Sequence, residues 1–115
     1  MTQRKSASWM NQVDERIMEW IRENGFASPG ILARERGFSV SSGHIRDRCK
    51  WLQYAGLVAP IGGDLYDLTT EGILYLKGEL DARHCPRPTP SKVFEDRYAT
   101  PPGWIESGVT FRVRL

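Results

Sequence analysis

The sequence predicts an α+β fold that is mostly helical, with three helices, a short β-hairpin, a fourth helix and an extended proline-rich segment. Three observations lead to this prediction. Apolar residues recur at helical spacing in the first half, two β-rich runs flank a Gly-Gly-Asp turn at 62–64, and five of the seven prolines fall in 85–115. Because proline interrupts helices, we divide the chain into an N-terminal arm (1–10), a folded domain (11–84) and a C-terminal extension (85–115).

The first helix is predicted from about Gln12 to Asn24. Apolar side chains at i, i+4, i+7 and i+8 form its inner face, namely Val13, Ile17, Trp20 and Ile21. Asp14 falls in the first turn, where a negative charge is favourable, and Gly25 supplies a left-handed stop. This is the pattern of an amphipathic helix on the surface of a small core.

A second, shorter helix is predicted after Ser28, which is a suitable N-cap, with Pro29 at the first helical position. We expect Ile31 and Leu32 to face inward. Gly37 ends this helix after barely two turns and permits the change of direction that follows.

The third helix is predicted over residues 41–55, capped by Ser41 or Ser42. Ile45, Cys49 and Leu52 share one face of it, which should pack on the first two helices. The polar side chains point away from that face, with Arg48 at its margin. Trp51 and Tyr54 also fall off this face.

The hairpin is predicted from the runs "LVAPI" and "LYDLT", and Thr69 or Thr70 caps the fourth helix. That helix carries an apolar face that extends to Leu80, and Gly72 and Gly78 within it indicate close packing. Near the C-terminus, apolar residues alternate with polar ones in a pattern that predicts a β-strand. They are Val109, Phe111, Val113 and Leu115.

This order of elements is that of a winged helix-turn-helix, in which the third helix enters the major groove of DNA and the hairpin lies near the backbone. The charge distribution agrees with this fold. Residues 34–50 carry five bases against two acids, a net +3, whereas residues 64–81 carry a net −4, within a chain of net charge +2.

The sequence resembles the winged-helix, phiH-like repressor family of haloarchaea and their viruses. The resemblance rests on "RDRCKWLQYAGLV", on "YDLTTEGILYLKGELDA" and on the opening helix "WMNQVDERIMEWI", and it covers about residues 9–83. It implies an archaeal DNA-binding transcription regulator. It implies nothing about residues 85–115, and the chain departs from the strongly acidic composition usual in haloarchaeal cytoplasmic proteins.

We therefore predict a sequence-specific double-stranded DNA-binding regulator, a repressor, that reads the major groove with helix 41–55. The predicted DNA-binding residues are Ser41, Ser42, His44, Arg46, Arg48, Lys50, Arg34 and Arg36. The alternative is a winged-helix adaptor that binds other proteins. The hairpin favours that alternative because it has no cation and carries Asp64 and Asp67, and an exposed Trp51 or Tyr54 would also suit a protein partner.

Other functions find less support in the sequence. No catalytic arrangement has supporting context, so no enzyme activity is expected. Cys49 and Cys85 are too few and too far apart for a disulfide framework or zinc site, and no metal, cofactor or small-molecule ligand is predicted. No apolar run approaches the ~20 residues of a membrane span, and "MTQRKSAS" lacks the apolar region of a signal peptide. We expect a cytoplasmic protein with a mobile arm at 1–10.

A homodimer is also predicted, because one recognition helix reads too few base pairs to select a site among roughly 10⁶ or more competitors. We expect its interface in the fourth helix or in the C-terminal segment. The strand at 109–115 would pair either with the hairpin of its own subunit or with that of a partner.

Overall fold

The computed structural model of the protein describes residues 3–95. Its helices are α1 (Gln12–Asn24), α2 (Pro29–Ala33), α3 (Ser42–Tyr54) and α4 (Thr70–Leu76), and its strands are β1 (Val58–Gly62) and β2 (Leu65–Leu68). A 3-10 turn at Ala82–His84 and a π-helical turn at Ser91–Glu95 follow. The mostly helical fold with one antiparallel hairpin is confirmed, and it is consistent with a winged helix.

Side-chain caps determine where three of the helices begin. The hydroxyl of Ser28 accepts a hydrogen bond from the backbone N–H of Ile31 at 3.2 Å. Ser41, one of the two predicted caps of α3, accepts from the N–H of His44 at 3.1 Å. Thr69 caps α4 in the same way. Each bond satisfies a backbone donor that would otherwise have no partner in the first turn.

The core lies between the four helices and the inner face of the hairpin. Its largest fully buried apolar side chains include Ile17, Met18, Ile21, Leu32, Ile45, Leu52, Leu57, Val58 and Tyr75. The predicted inner face of α3 is confirmed, since Ile45, Cys49 and Leu52 are all buried. Ile31 was expected to face inward and is 38% exposed. Because α2 has only five residues, its buried side consists of Pro29 and Leu32, and Ile31 points to solvent.

The hairpin closes through a two-residue turn at Gly63 and Asp64, with Gly62 opposite Leu65. Gly63 has a φ of +53°, a conformation that glycine adopts without strain. The segment between α1 and α2 adds to this sheet at one point, because Ala27 and Tyr66 exchange backbone hydrogen bonds of 3.0 and 2.8 Å. The hairpin is therefore anchored next to α2 and α3.

Helix α4 is shorter than the sequence suggested. It ends at Leu76. Gly78 lies just beyond this end, and its φ of +79° allows the chain to change direction there. The expected close packing is present at Gly72, where a Cβ atom would collide with the carbonyl oxygen of Leu57. Thr69 reinforces this contact by donating its hydroxyl to the carbonyl of Gly56 at 2.6 Å.

The expectation of a mobile N-terminal arm is wrong for the part of it that the structure describes. Lys5 forms a β-bridge with Asp81, and its carbonyl accepts from the N–H of Ala82 at 2.9 Å. Arg4 binds the carboxylates of Glu15 and Glu19 on α1. These bonds hold the arm between α1 and the segment that follows α4.

The extension also begins as part of the folded domain. Pro88 is buried, and Phe94 in the π-helical turn packs near Trp51 of α3 with ring centroids 6.4 Å apart. The predicted strand at 109–115 lies outside the described residues. Within residues 3–95 no helix could cross a membrane, because the longest helices, α1 and α3, have 13 residues each.

Candidate nucleic-acid interface

The N-terminal half of α3 presents its polar side to solvent. Ser41, Gly43, His44, Asp47 and Lys50 are exposed along this surface, and Ser42 is partly buried beside them. The apolar side of the same helix is buried against α1 and α2, so the orientation of α3 is fixed. The helix therefore offers a rigid, polar ridge whose N-terminal end points outward.

Four basic groups on and beside this ridge are unengaged. Among the residues that the structure describes, Arg34, Arg36, His44 and Lys50 make no side-chain hydrogen bond or ion pair. Arg34 is the C-cap residue of α2, and Arg36 lies in the turn that leads to α3. The arginines and the lysine among them are cations that the fold does not use, and they are available to bind an external anion such as a phosphate.

Gly43 is a further feature of this surface that the fold does not require. It lies in the first turn of α3, and a Cβ atom there would meet nothing closer than the Ser41 hydroxyl at 3.9 Å. Alanine in its place would stabilise an exposed helix by roughly 0.5–1 kcal/mol. A glycine at this point would allow another molecule to approach the helix backbone closely.

Arg46 is not free, because it is paired with the tip of the hairpin. Its Nη2 atom lies 2.9 Å from Oδ2 of Asp64, with exposed side-chain fractions of 41% and 64%. Tyr66 lies near this pair. Burial raises the pKa of the Tyr66 hydroxyl to about 12. The negative charge of Asp64 contributes to this rise in pKa, and the positive charge of Arg46 opposes it. The pair joins the polar ridge of α3 to the tip of the hairpin.

Arg48, which was predicted to contact DNA from the margin of the helix face, is 9% exposed and is paired with Asp14 of α1. Its Nε and Nη2 atoms donate to both carboxylate oxygens of Asp14, at 2.8 and 2.7 Å, and Nη2 also donates to the carbonyl of Trp9 at 3.0 Å. Asp14 has no exposed surface. Arg48 therefore joins α3 to α1 within the core, where the donors of its Nε and Nη2 atoms are engaged.

The sequence contained a signal for this pair that the helix-by-helix interpretation missed. Asp14 precedes Ile17, Met18 and Ile21 by three, four and seven residues, and so lies on the buried face of α1. A carboxylate at such a position needs a buried cationic partner. The arginine on the margin of the neighbouring helix is that partner.

Trp51, which the sequence left unplaced, covers the Arg48–Asp14 pair. The Arg48 guanidinium carbon lies 4.7 Å from the centroid of the Trp51 ring. Trp9 and Phe94 pack near that ring from two sides, with centroids 6.3 and 6.4 Å away. Trp51 is thus partly buried and is not an exposed docking residue, which weakens one argument for a protein-binding adaptor.

The cysteines and acidic groups form no metal site among residues 3–95, where no three His, Cys, Asp or Glu side chains lie close enough to share an ion. Burial raises the pKa of Cys49 to about 12, with a further contribution from Asp14. Burial likewise raises the pKa of Cys85, which is half-buried. Neither thiol has the depressed pKa that reactive cysteines show.

Comparison with known proteins adds a structural relative. A scan against protein-family models finds no match, and a search of curated proteins finds no significant match. The crystal structure of the PhiH1 repressor-like protein from Haloarcula marismortui is similar to this chain, with a TM-score of 0.70 and 38% sequence identity. The similarity covers 71% of this chain and 93% of the Haloarcula chain. On this identity and coverage, the chain belongs to the PhiH1 repressor-like family.

Proposed function

We propose that the protein is a sequence-specific double-stranded DNA-binding transcription regulator, a repressor, that reads the major groove with α3. The observation that carries the proposal is the solvent-facing ridge of α3, where His44 and Lys50 remain without partners in the described chain. The repressor-like character of the Haloarcula relative supports the same function. No enzymatic activity is part of the proposal.

The positions of the side chains suggest different roles. Ser42 and His44 occupy the first turn of α3, from which recognition helices contact base edges. Lys50 lies almost two turns further along and would bind a phosphate. Arg34 and Arg36 would bind the backbone on the other side of the ridge, and such contacts fix the register of the protein on DNA.

Ser41 and Arg46 have limited freedom in this scheme. The Ser41 hydroxyl already accepts the capping bond from His44, so its O–H donor and one remaining lone pair are left for DNA. Arg46 can reach DNA when its pair with Asp64 opens. Arg48 is not included, because it is largely buried and its Nε and Nη2 donors are used within the core.

We also propose that the protein acts in the cytoplasm as a homodimer and binds a palindromic site. The proposed interface includes α4 or the C-terminal segment. This proposal rests on the limited number of base pairs that one α3 can read.

An adaptor that binds proteins is the second candidate, and exposed apolar side chains favour it. Phe26, Ile31 and Ile61 are 54%, 38% and 45% exposed. The wing supports it as well, since Asp64 at its tip would repel phosphates. An adaptor would bind duplex DNA weakly or not at all.

Duplex binding measured between 50 and 200 mM salt separates the two candidates. We expect the logarithm of the association constant to fall linearly with the logarithm of salt concentration, and Lys50→Ala to reduce the slope by about 0.9. Lys77→Ala is the matched control, because it removes the same charge from an exposed site beside the N-terminal arm. Binding that is independent of salt, or equal losses in the two variants, would contradict DNA binding through α3.

A further inference from the structure

The ion pair between Arg46 and Asp64 connects the two elements that are closest to DNA in the proposed function, on which this inference rests. Arg46 belongs to α3 and Asp64 to the hairpin turn. The Nη2–Oδ2 distance is 2.9 Å, and both side chains are substantially exposed. The residues of the hairpin, 58–68, include two aspartates and no lysine or arginine.

The fold does not require a carboxylate at the hairpin tip. An ion pair between side chains this exposed contributes at most about 1 kcal/mol to stability. Asparagine is as well suited as aspartate to a tight hairpin turn. Asp64 also lies beside a ridge whose unengaged cations are otherwise suited to phosphate, so its charge opposes the interaction that this surface favours.

We propose that Asp64 is a specificity-determining residue that holds Arg46 away from DNA phosphates and so lowers non-specific binding. Non-specific affinity comes almost entirely from phosphate contacts, whereas base contacts supply sequence selection. Removing one cation from phosphate binding therefore weakens binding to random DNA more than it weakens base recognition. The ratio between specific and non-specific binding rises, and this ratio governs occupancy of a site in a genome.

The test compares Asp64→Asn with Glu79→Gln on a random-sequence duplex across a salt series. Both substitutions raise the net charge of the chain from +2 to +3. Glu79 is exposed near Arg4 and Lys77, on a surface formed by α4 and the N-terminal arm. We expect Asp64→Asn to steepen the salt slope by about 0.9 and to raise affinity about five- to tenfold near 0.1 M salt. Glu79→Gln should leave the slope unchanged.

A second comparison identifies Arg46 as the released cation. In the background of Arg46→Gln, we expect Asp64→Asn to leave the salt slope unchanged. An effect of Asp64→Asn that persists in that background, or that equals the effect of Glu79→Gln, would overturn the inference. Thermal denaturation of each variant verifies that the hairpin is folded.

The outcomes also distinguish this inference from the proposed function. If wild-type binding depends on salt and on Lys50 but Asp64→Asn behaves like Glu79→Gln, only the role of Asp64 is refuted. If the wild-type protein and every variant show no salt-dependent binding, DNA binding and the role of Asp64 are both refuted.

Discussion

Replacement of Arg48 by alanine should strongly destabilise the protein. The substitution removes both hydrogen bonds to Asp14, the bond to the Trp9 carbonyl and the contact with the Trp51 ring. It also leaves a carboxylate with no exposed surface and without its cation. Removing one partner of a buried ion pair costs about 3–5 kcal/mol, a large part of the 5–15 kcal/mol by which folded proteins are stable.

Thermal and urea denaturation would measure this loss. A domain of this size loses about 4–8 °C in Tm for each kcal/mol, so we expect Arg48→Ala to lower Tm by at least about 12 °C. Arg46→Ala is the matched control. It removes the same charge from the same helix, but the pair with Asp64 is exposed and worth at most about 1 kcal/mol.

The loss of stability in Arg48→Ala should have no counterpart in DNA binding. At a temperature where Arg48→Ala is folded, its salt slope on duplex DNA should equal that of the wild type, because Arg48 binds no phosphate. Equal and small losses of stability in Arg48→Ala and Arg46→Ala would refute the assignment of Arg48 to the core.

Three further predictions concern packing, burial and assembly. In urea denaturation, Gly72→Ala should destabilise the fold by about 1–3 kcal/mol or more, because the new Cβ atom collides with the Leu57 carbonyl. Gly43→Ala should stabilise the fold slightly, because its Cβ atom enters open space. In a Cys85→Ser variant, Cys49 should resist a thiol reagent at pH 8 until the protein unfolds. Rapid labelling of the native protein would refute the burial of this thiol. Because burial raises the pKa of Cys49 from about 9 to about 12, the contribution of Cys49 to the free energy of unfolding should be complete below pH 9 and should be lost as the pH rises toward 12. Sedimentation should show a dimer for the full chain at micromolar concentration. If the C-terminal segment forms the interface, residues 1–95 should be a monomer, whereas a dimer of residues 1–95 would place the interface at α4. A monomeric full chain would refute the dimer.

The elements that local sequence determines were predictable. The bounds of α1, Gln12 to Asn24, agree with the prediction, because apolar spacing and a terminal glycine define that helix without reference to the rest of the chain. The buried face of α3 and the hairpin agree for the same reason, whereas α2 ends at Ala33, before the predicted stop at Gly37. The cap of α4 was also among the two predicted residues.

The features that depend on contacts distant in sequence were not predictable in this way. Arg48 and Asp14 are 34 residues apart, and although Asp14 lies on the buried face of α1, local sequence does not identify its partner. Lys5 and Asp81 are held together by backbone atoms, which leave no pattern in the sequence. Predicting that Arg46 pairs with Asp64 would have required knowing how the hairpin lies against α3.

The candidate DNA-binding set was therefore only partly resolved by sequence. Amphipathic spacing correctly predicts that His44 and Lys50 are exposed, because polar residues opposite the core face of a helix face solvent. The same spacing cannot tell which cations are already engaged. In the structure Arg48 is paired with Asp14, and Arg46 is paired with Asp64 at the hairpin tip.

Selection of bound fragments from random duplex DNA, carried out in parallel with the wild-type protein and with His44→Ala, tests the central claim most directly. If α3 reads base edges from its first turn, the wild type will enrich a palindromic site, and His44→Ala will lose preference at one position in each half-site. Absence of any enriched site, or an identical site from both proteins, would contradict sequence reading by this end of α3.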